Sequence, residues 1–184
     1  MDNTELTRYR RALKRKNYSA HTLKSYMNIL SHFGRWALVP LCEVTSKEIG
    51  LYVDQLLQKR RTPKTITCHL QTIRLFFEHL IEEEEIPMAN PVTRISIRLP
   101  KPLPRHLKDD QVTKLFAVIT DVRDRAMFML MLRCGLRVEE VARLTVDAVE
   151  YGRGQIFVAN GKGAKDRVVY VSEDARSALL AYLG

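Results

Sequence analysis

The sequence predicts a mainly α-helical protein with a small antiparallel β-sheet near its C-terminal end, arranged as two domains. Three observations carry this reading. Apolar residues recur at spacings of three and four through the front half, the period of a helix with one buried face. Residues 87–105, PMANPVTRISIRLPKPLPR, hold five prolines in nineteen residues and show no helical period, as an extended connection does. Around residues 155–171 short β-branched runs flank a glycine-rich turn, the signature of a hairpin. The expected domains are therefore 1–91 and 106–184, with a linker at 92–105.

The front domain is expected to be a four-helix, all-α bundle. Ser19 is placed to cap a helix with Leu23, Tyr26, Leu30, Phe33 and Trp36 on one face. Lys24, Asn28, Ser31 and Arg35 form a polar, basic stripe on the same segment. Ser46 begins a further helix through Lys59, with Ile49, Val53, Leu56 and Leu57 inward. Thr62-Pro63 opens a long helix, since proline at the first helical position leaves no extra donor unpaired. Its apolar face is Ile66, Leu70, Ile73, Phe77 and Leu80, and its opposite stripe is Lys64, Thr67, Gln71 and Arg74. Glu82 to Glu85 oppose the dipole at that helix's end, and are expected to face water. Strand character at Thr93–Arg98 is weak.

The second domain starts with a helix near Lys108, apolar at Val112, Leu115 and Phe116. Asp121 to Arg133 is strongly apolar, and its Met127, Met129 and Met131 read as buried core. Cys134-Gly135 ends that helix, because glycine tolerates the left-handed C-cap conformation. A short helix, Val138 to Leu144, follows. Gln155–Ala159 and Arg167–Val171 are the expected strands, joined through NGKGAKD. Ser172 caps a last helix, Glu173 to Leu183.

Composition bounds the function. Hydrophobic residues make up 46% of the 184, enough for a buried core. No apolar run spans a bilayer, and MDNTELTRYRRALKRK has no apolar signal core. A soluble, non-exported, cytoplasmic protein is expected. Cys42, Cys68 and Cys134 are scattered without metal-ligand spacing and read as reduced thiols. Net charge is +9, of which the first hundred residues carry +6. A basic protein without membrane signals points to a polyanion, most often nucleic acid. The stripes on the two long helices, Lys24, Asn28 and Arg35, and Lys64, Thr67, Gln71 and Arg74, are the side chains that would meet phosphates and base edges.

Two segments carry chemistry. In CGLRVEEVARLTVDAV, residues 134–149, Arg137 begins a helix just after a glycine turn, where a guanidinium can hold an anion. Glu140 lies one turn on and can orient the arginine or a neighbour. A plain surface pair of this kind would be worth little energy. In NGKGAKDR, residues 160–167, Lys162 and Lys165 sit on a glycine-flanked loop that can carry an ammonium group to a phosphate. A nucleotide-binding P-loop is excluded: its spacing is absent, and this loop joins strand to strand.

Together these segments resemble the tyrosine recombinase (phage integrase) family, near its Xer-type and integron-type members. The resemblance rests on Gly135-Leu136-Arg137, Glu140, Leu144 and Asp147, followed by Gly161-Lys162-Gly163-Ala164-Lys165-Asp166-Arg167. In the front half, Ser19, Thr22, Tyr26 and Asn90-Pro91 are similar to the family's core-binding motifs, as LPKPLPRHL is to its interdomain segment. It implies an N-terminal all-α SAM-like core-binding domain and part of an α+β catalytic domain. It also implies attack by a tyrosine on a DNA phosphodiester through a 3′-phosphotyrosine link, with no metal and no other cofactor. By position Arg137 matches the first catalytic arginine, Glu140 its acidic support and Lys162 the general acid, with Lys165 the second choice. The implied partners are double-stranded DNA and further recombinase subunits on DNA.

The family's later His-x-x-Arg and tyrosine have no match. His106, the last histidine, precedes Arg137; Tyr170 lies in a strand and Tyr182 comes too early. No nucleophile is therefore assigned in this chain, which is expected to bind DNA without cleaving it and to be monomeric when free. A DNA-binding regulator that occupies recombination sites is the alternative; a helical adaptor for another protein is a more distant one.

Overall fold

A computed structural model of the chain describes residues 3–83, 85–93, 95–159 and 165–184. Two units are formed, residues 1–102 and 103–184. The first is helical: α1 (Asn3–Arg15), α2 (Ala20–Trp36), α3 (Ser46–Gln58) and α4 (Pro63–Glu82), with a 3-10 turn at Leu41–Glu43. The second contains α5 (Asp109–Val118), α6 (Val122–Cys134), α7 (Val138–Ala142), a 3-10 turn at Val146–Ala148, strands β1 (Val149–Glu150), β2 (Gln155–Val158) and β3 (Arg167–Tyr170), and α8 (Glu173–Leu183). No helix among the described residues is long and apolar enough to cross a membrane.

The two long helices of the first unit begin by the same device. Ser19 Oγ accepts the Thr22 backbone N–H at 3.2 Å, and Thr62 Oγ1 accepts that of Thr65 at 3.3 Å. Each cap is also joined side chain to side chain with its threonine at 2.9 Å. Their apolar faces then meet in one core. Leu30, Phe33, Ile49, Tyr52, Ile66, Ile73, Phe76 and Phe77 are fully buried, each such aliphatic or phenylalanine side chain contributing about 1.5–3 kcal/mol. Phe33 meets the ring of Tyr52 edge-on at 5.1 Å, and Tyr9 of α1 meets Phe76 at 5.2 Å, favourable aromatic geometries.

Several details depart from the sequence reading. Leu57 is exposed, because the inward face of α3 is Ile49, Tyr52, Val53 and Leu56, and Leu57 lies about a quarter of a turn from the middle of that face. The acidic run does not merely face water. Glu83 takes an ion pair from Lys16 at 2.8 Å and lies 3.2 Å from His79, tying the end of α4 to the end of α1. No strand forms among the described residues of 93–98. Of the segment read as a linker, residues 92–102 belong to the first unit. Val92 is buried there, and Ile95 and Ile97 pack against the same core. Asn90 fastens this return: its Nδ2 donates to the Arg74 carbonyl and its Oδ1 accepts from the Val92 N–H, both at 3.0 Å.

The second unit has a smaller core of Leu130, Leu136, Val141, Ile156, Val158, Ala175 and Leu179. α6 and α8 pack together, with Ala175 and Ala178 of α8 buried. Strand order is β1-β2-β3, antiparallel throughout, with Val149 opposite Ile156 and Val158 opposite Arg167. Gly135 takes φ +65° as the left-handed cap of α6. β1 is a strand that the sequence reading did not separate from the segment before it. α7 stops at Ala142, short of the expected Leu144. α5 buries none of its residues, Leu115 included. Along α6 only Ala126 and Leu130 are buried; Met127, Met129 and Met131 are half-buried, and Phe128 and Leu132 are exposed. The apolar stretch 126–132 of α6 therefore leaves Phe128 and Leu132 uncovered.

Candidate functional site

Glu140 is the centre of the second unit's polar site. It is the third residue of α7, so its carboxylate folds back to the helix start, where Oε2 accepts the Arg137 backbone N–H at 2.8 Å. Its Oε1 accepts Arg137 Nη1 at 2.9 Å. Arg167, first residue of β3, approaches from the sheet and closes a two-pronged pair: Nη1 to Oε1 at 2.8 Å and Nη2 to Oε2 at 2.7 Å. Parallel pairing of this kind is the strong form of the arginine–carboxylate contact. The Glu140 side chain is 8% exposed, against 56% for Arg137.

Electrostatics follow from that geometry. The Arg167 hydrogen bond, then the Arg137 backbone N–H, hold the Glu140 carboxyl well below the usual carboxylate range, overcoming the opposing effect of burial. Glu140 in turn raises Arg167. The shift favours the ionised carboxylate, with both guanidiniums beside it. A cleft of about 390 Å³ is lined by Gly135, Arg137, Lys165, Asp166 and Arg167. Three cationic side chains and one carboxylate therefore border one cavity, a setting that suits a phosphate. Lys162 lies outside the described residues; Lys165 is exposed.

In the first unit the anticipated stripes are on the outside of their helices. Lys24, Asn28 and Arg35 are exposed on α2, and Lys64, Gln71 and Arg74 on α4. Thr67 is half-buried, with its hydroxyl donated to the Pro63 carbonyl at 3.0 Å. Arg35 Nε donates to the Ser31 carbonyl at 3.2 Å, and Arg74 lies 3.7 Å from Glu78. Cys68 is an exposed free thiol on α4, between Lys64 and Gln71 in sequence, and Cys42 is an exposed free thiol on the 3-10 turn.

Two features escaped the sequence reading. Arg167 was visible only as the last residue of the hairpin motif. The other is a polar relay through the first core: the Tyr52 hydroxyl of α3 lies 2.8 Å from His32 Nδ1 of α2 and 2.8 Å from His69 Nδ1 of α4. No sequence signal announces it, because each member comes from a different helix.

The chain matches two family models. Residues 105–184 match the phage integrase family and residues 6–86 the phage integrase N-terminal SAM-like domain. Among curated proteins, tyrosine recombinase XerC of Thermodesulfovibrio yellowstonii is 32% identical over 192 residues, covering 100% of this chain and 63% of that protein. Tyrosine recombinase XerA of Thermococcus onnurineus is 30% identical over 183 residues, covering 98% of this chain and 62% of that protein. The chain therefore spans a little over three-fifths of the length of these relatives. In fold it is similar to lambda integrase residues 75–356, solved as a dimer bound to a core site, with TM-score 0.80 and 19% identity over 97% of this chain and 65% of that one.

Proposed function

The chain belongs to the phage integrase family, and on that premise we propose that it serves site-specific DNA recombination, in which duplex DNA is bound, cut and rejoined through a 3′-phosphotyrosine link. The stripes of α2 and α4 bind the duplex through phosphates and base edges. Arg137 meets the non-bridging oxygens of the phosphodiester, where negative charge builds as a tyrosine oxygen attacks phosphorus. The bond from phosphorus to the 5′-oxygen breaks, and a hairpin lysine, Lys162 or Lys165, gives that oxygen its proton. Glu140 holds Arg137 in place. Rejoining is the reverse reaction, so the phosphotyrosine bond conserves the energy and no cofactor is required.

The observation that supports this reading most is the clamped Glu140, which keeps two guanidiniums at the edge of a cleft that Lys165 also lines. Neither Tyr170 nor Tyr182 is assigned as the nucleophile: the first is in β3 and the second in α8, ahead of where the family places its His-x-x-Arg. A polypeptide of residues 1–184 is therefore a DNA-binding protein that leaves DNA intact.

The test is to present that polypeptide with a fluorescent duplex and, separately, with a nicked suicide substrate. Binding that weakens steeply over about a fourfold rise in salt, with no covalent adduct, is the expected result. Binding indifferent to salt would end the electrostatic reading, and an adduct mapping to Tyr170 or Tyr182 would overturn the assignment of the nucleophile.

A further inference from the structure

Glu140 accepts four hydrogen bonds on its two carboxylate oxygens, two from Arg137 and two from Arg167. That uses the acceptor capacity of a carboxylate almost completely. The two arginines differ in what they belong to. Arg137 starts α7, a helix of only five residues, too short to hold its own geometry in water. Arg167 is the first residue of β3, directly opposite Val158 at the loop end of the β2–β3 ladder and two residues after Lys165. The Arg167–Glu140 pair bridges 27 residues of sequence.

Resting on the function proposed above, we propose that Arg167 is a positioning residue: through Glu140 it fixes the Arg137 guanidinium and the loop end of the β2–β3 ladder in one frame, so that a phosphate held by Arg137 also meets the hairpin's lysine. Charge alone does not suffice for this. Both terminal nitrogens of Arg167 are committed to the carboxylate at 2.8 and 2.7 Å, and a lysine has no planar fork to match two oxygens. Without the second prong, Glu140 has one fewer reason to keep its orientation, and Arg137 loses the support that faces it toward the cleft. Arg167 acts on the phosphate through Glu140 and Arg137.

A double-mutant cycle on residues 1–184 decides this, with a mixed-sequence duplex of about 30 base pairs as probe and its affinity measured across a range of salt. Arg137→Ala removes one phosphate contact and lowers the slope of log affinity against log salt by about 0.9. Arg167→Lys keeps every charge. If Arg167 positions Arg137, Arg167→Lys lowers the slope by a similar amount, and adding Arg137→Ala to it weakens binding by less than about twofold more, since coupled residues are non-additive. Glu140→Gln, which keeps shape and both arginines, gives the same non-additivity, and it decides the question should Arg167→Lys fail to fold. Two results overturn the proposal. One is a slope unchanged by Arg167→Lys or Glu140→Gln with effects that add to Arg137→Ala, the mark of a merely structural pair. The other is a slope lowered by Arg167→Met but not by Arg167→Lys, the mark of direct phosphate contact by Arg167. A wild-type chain that binds no DNA would instead refute the proposed function, a result distinct from both.

Discussion

The Tyr52 hydroxyl lies 2.8 Å from His69 Nδ1, and the same hydroxyl lies 2.8 Å from His32 Nδ1. A phenol has one proton to give, so one imidazole accepts from Tyr52 while the other donates to it, and the two rings hold opposite tautomers. Three helices are thereby joined at one buried oxygen. Tyr52→Phe removes both hydrogen bonds and leaves the histidine nitrogens unmatched. The expected loss is about 1–3 kcal/mol of unfolding free energy, read from denaturant unfolding by the fluorescence of Trp36, the sole tryptophan, whose ring lies 5.0 Å from that of Tyr52. An unchanged midpoint would show that the relay contributes nothing.

The same relay sets a pH dependence. Burial, then the charges of His32 and Arg61, lower His69 from 6.5 to about 4. Burial, then Lys59, Arg35 and Arg61, lower His32. The folded state thus refuses a proton that the unfolded chain accepts. Stability is complete above pH 6.5, declines as pH falls from 6.5 toward 4, and levels off once the folded state also takes the proton. The slope for His69 is at most about 1.4 kcal/mol per pH unit, and less where solvent screens it. The Trp36-monitored midpoint should fall through this window, and more shallowly in His69→Asn.

Charge on the two long helices should act through salt. Replacing Lys24, Arg35, Lys64 or Arg74 by glutamine should weaken duplex binding, each true phosphate contact removing about 0.9 from the salt slope. Glu82→Gln, at an exposed position at the end of α4, should not weaken it. Equal losses from the four basic substitutions, matched by a gain of the same size from Glu82→Gln, would mean that net charge, and not the stripes, governs binding.

The two cores should respond separately. Phe77→Ala, at a fully buried position of the first core, should cost about 3–5 kcal/mol and shift the Trp36 transition. Ile156→Ala, fully buried in the second core, should cost about 2–5 kcal/mol in far-UV dichroism of the second unit and leave the Trp36 transition in place. A shift of the Trp36 transition by both would join the units in a single cooperative fold.

What was legible in the sequence was local. Ser19, Thr62 and Ser172 announce α2, α4 and α8 because a hydroxyl cap acts within three residues. Gly135 announces the end of α6 because glycine is the usual left-handed residue. The end of α3 gave no such sign: Arg60 takes φ +52° there, a conformation its side chain does not advertise, whereas Asn17, at φ +56° after α1, is of a residue type that adopts it readily. The site divides in the same way. Arg137 and Glu140 are three residues apart and could be paired on spacing, whereas Arg167 and Glu140 meet only through hydrogen bonds between β3 and α7 across 27 residues of sequence. The relay spans separations of 20 and 17 residues and three helices, and no periodicity encodes it.

Cys68 gives this protein a built-in footprinting reagent. Its free thiol is exposed on α4, four residues from Lys64 and three from Gln71, neighbours on a helix surface. A duplex lying along that stripe shields the sulfur from alkylation, while Cys42, also exposed and on the 3-10 turn, provides the comparison within the same molecule. The ratio of adducts at the two thiols then reads occupancy of the helix stripe without a label being introduced. The same exposure makes storage chemistry part of the biochemistry: a thiol oxidised or capped at position 68 adds bulk in the middle of the surface assigned to DNA, so a preparation left without reductant should lose affinity and regain it when the thiol is restored.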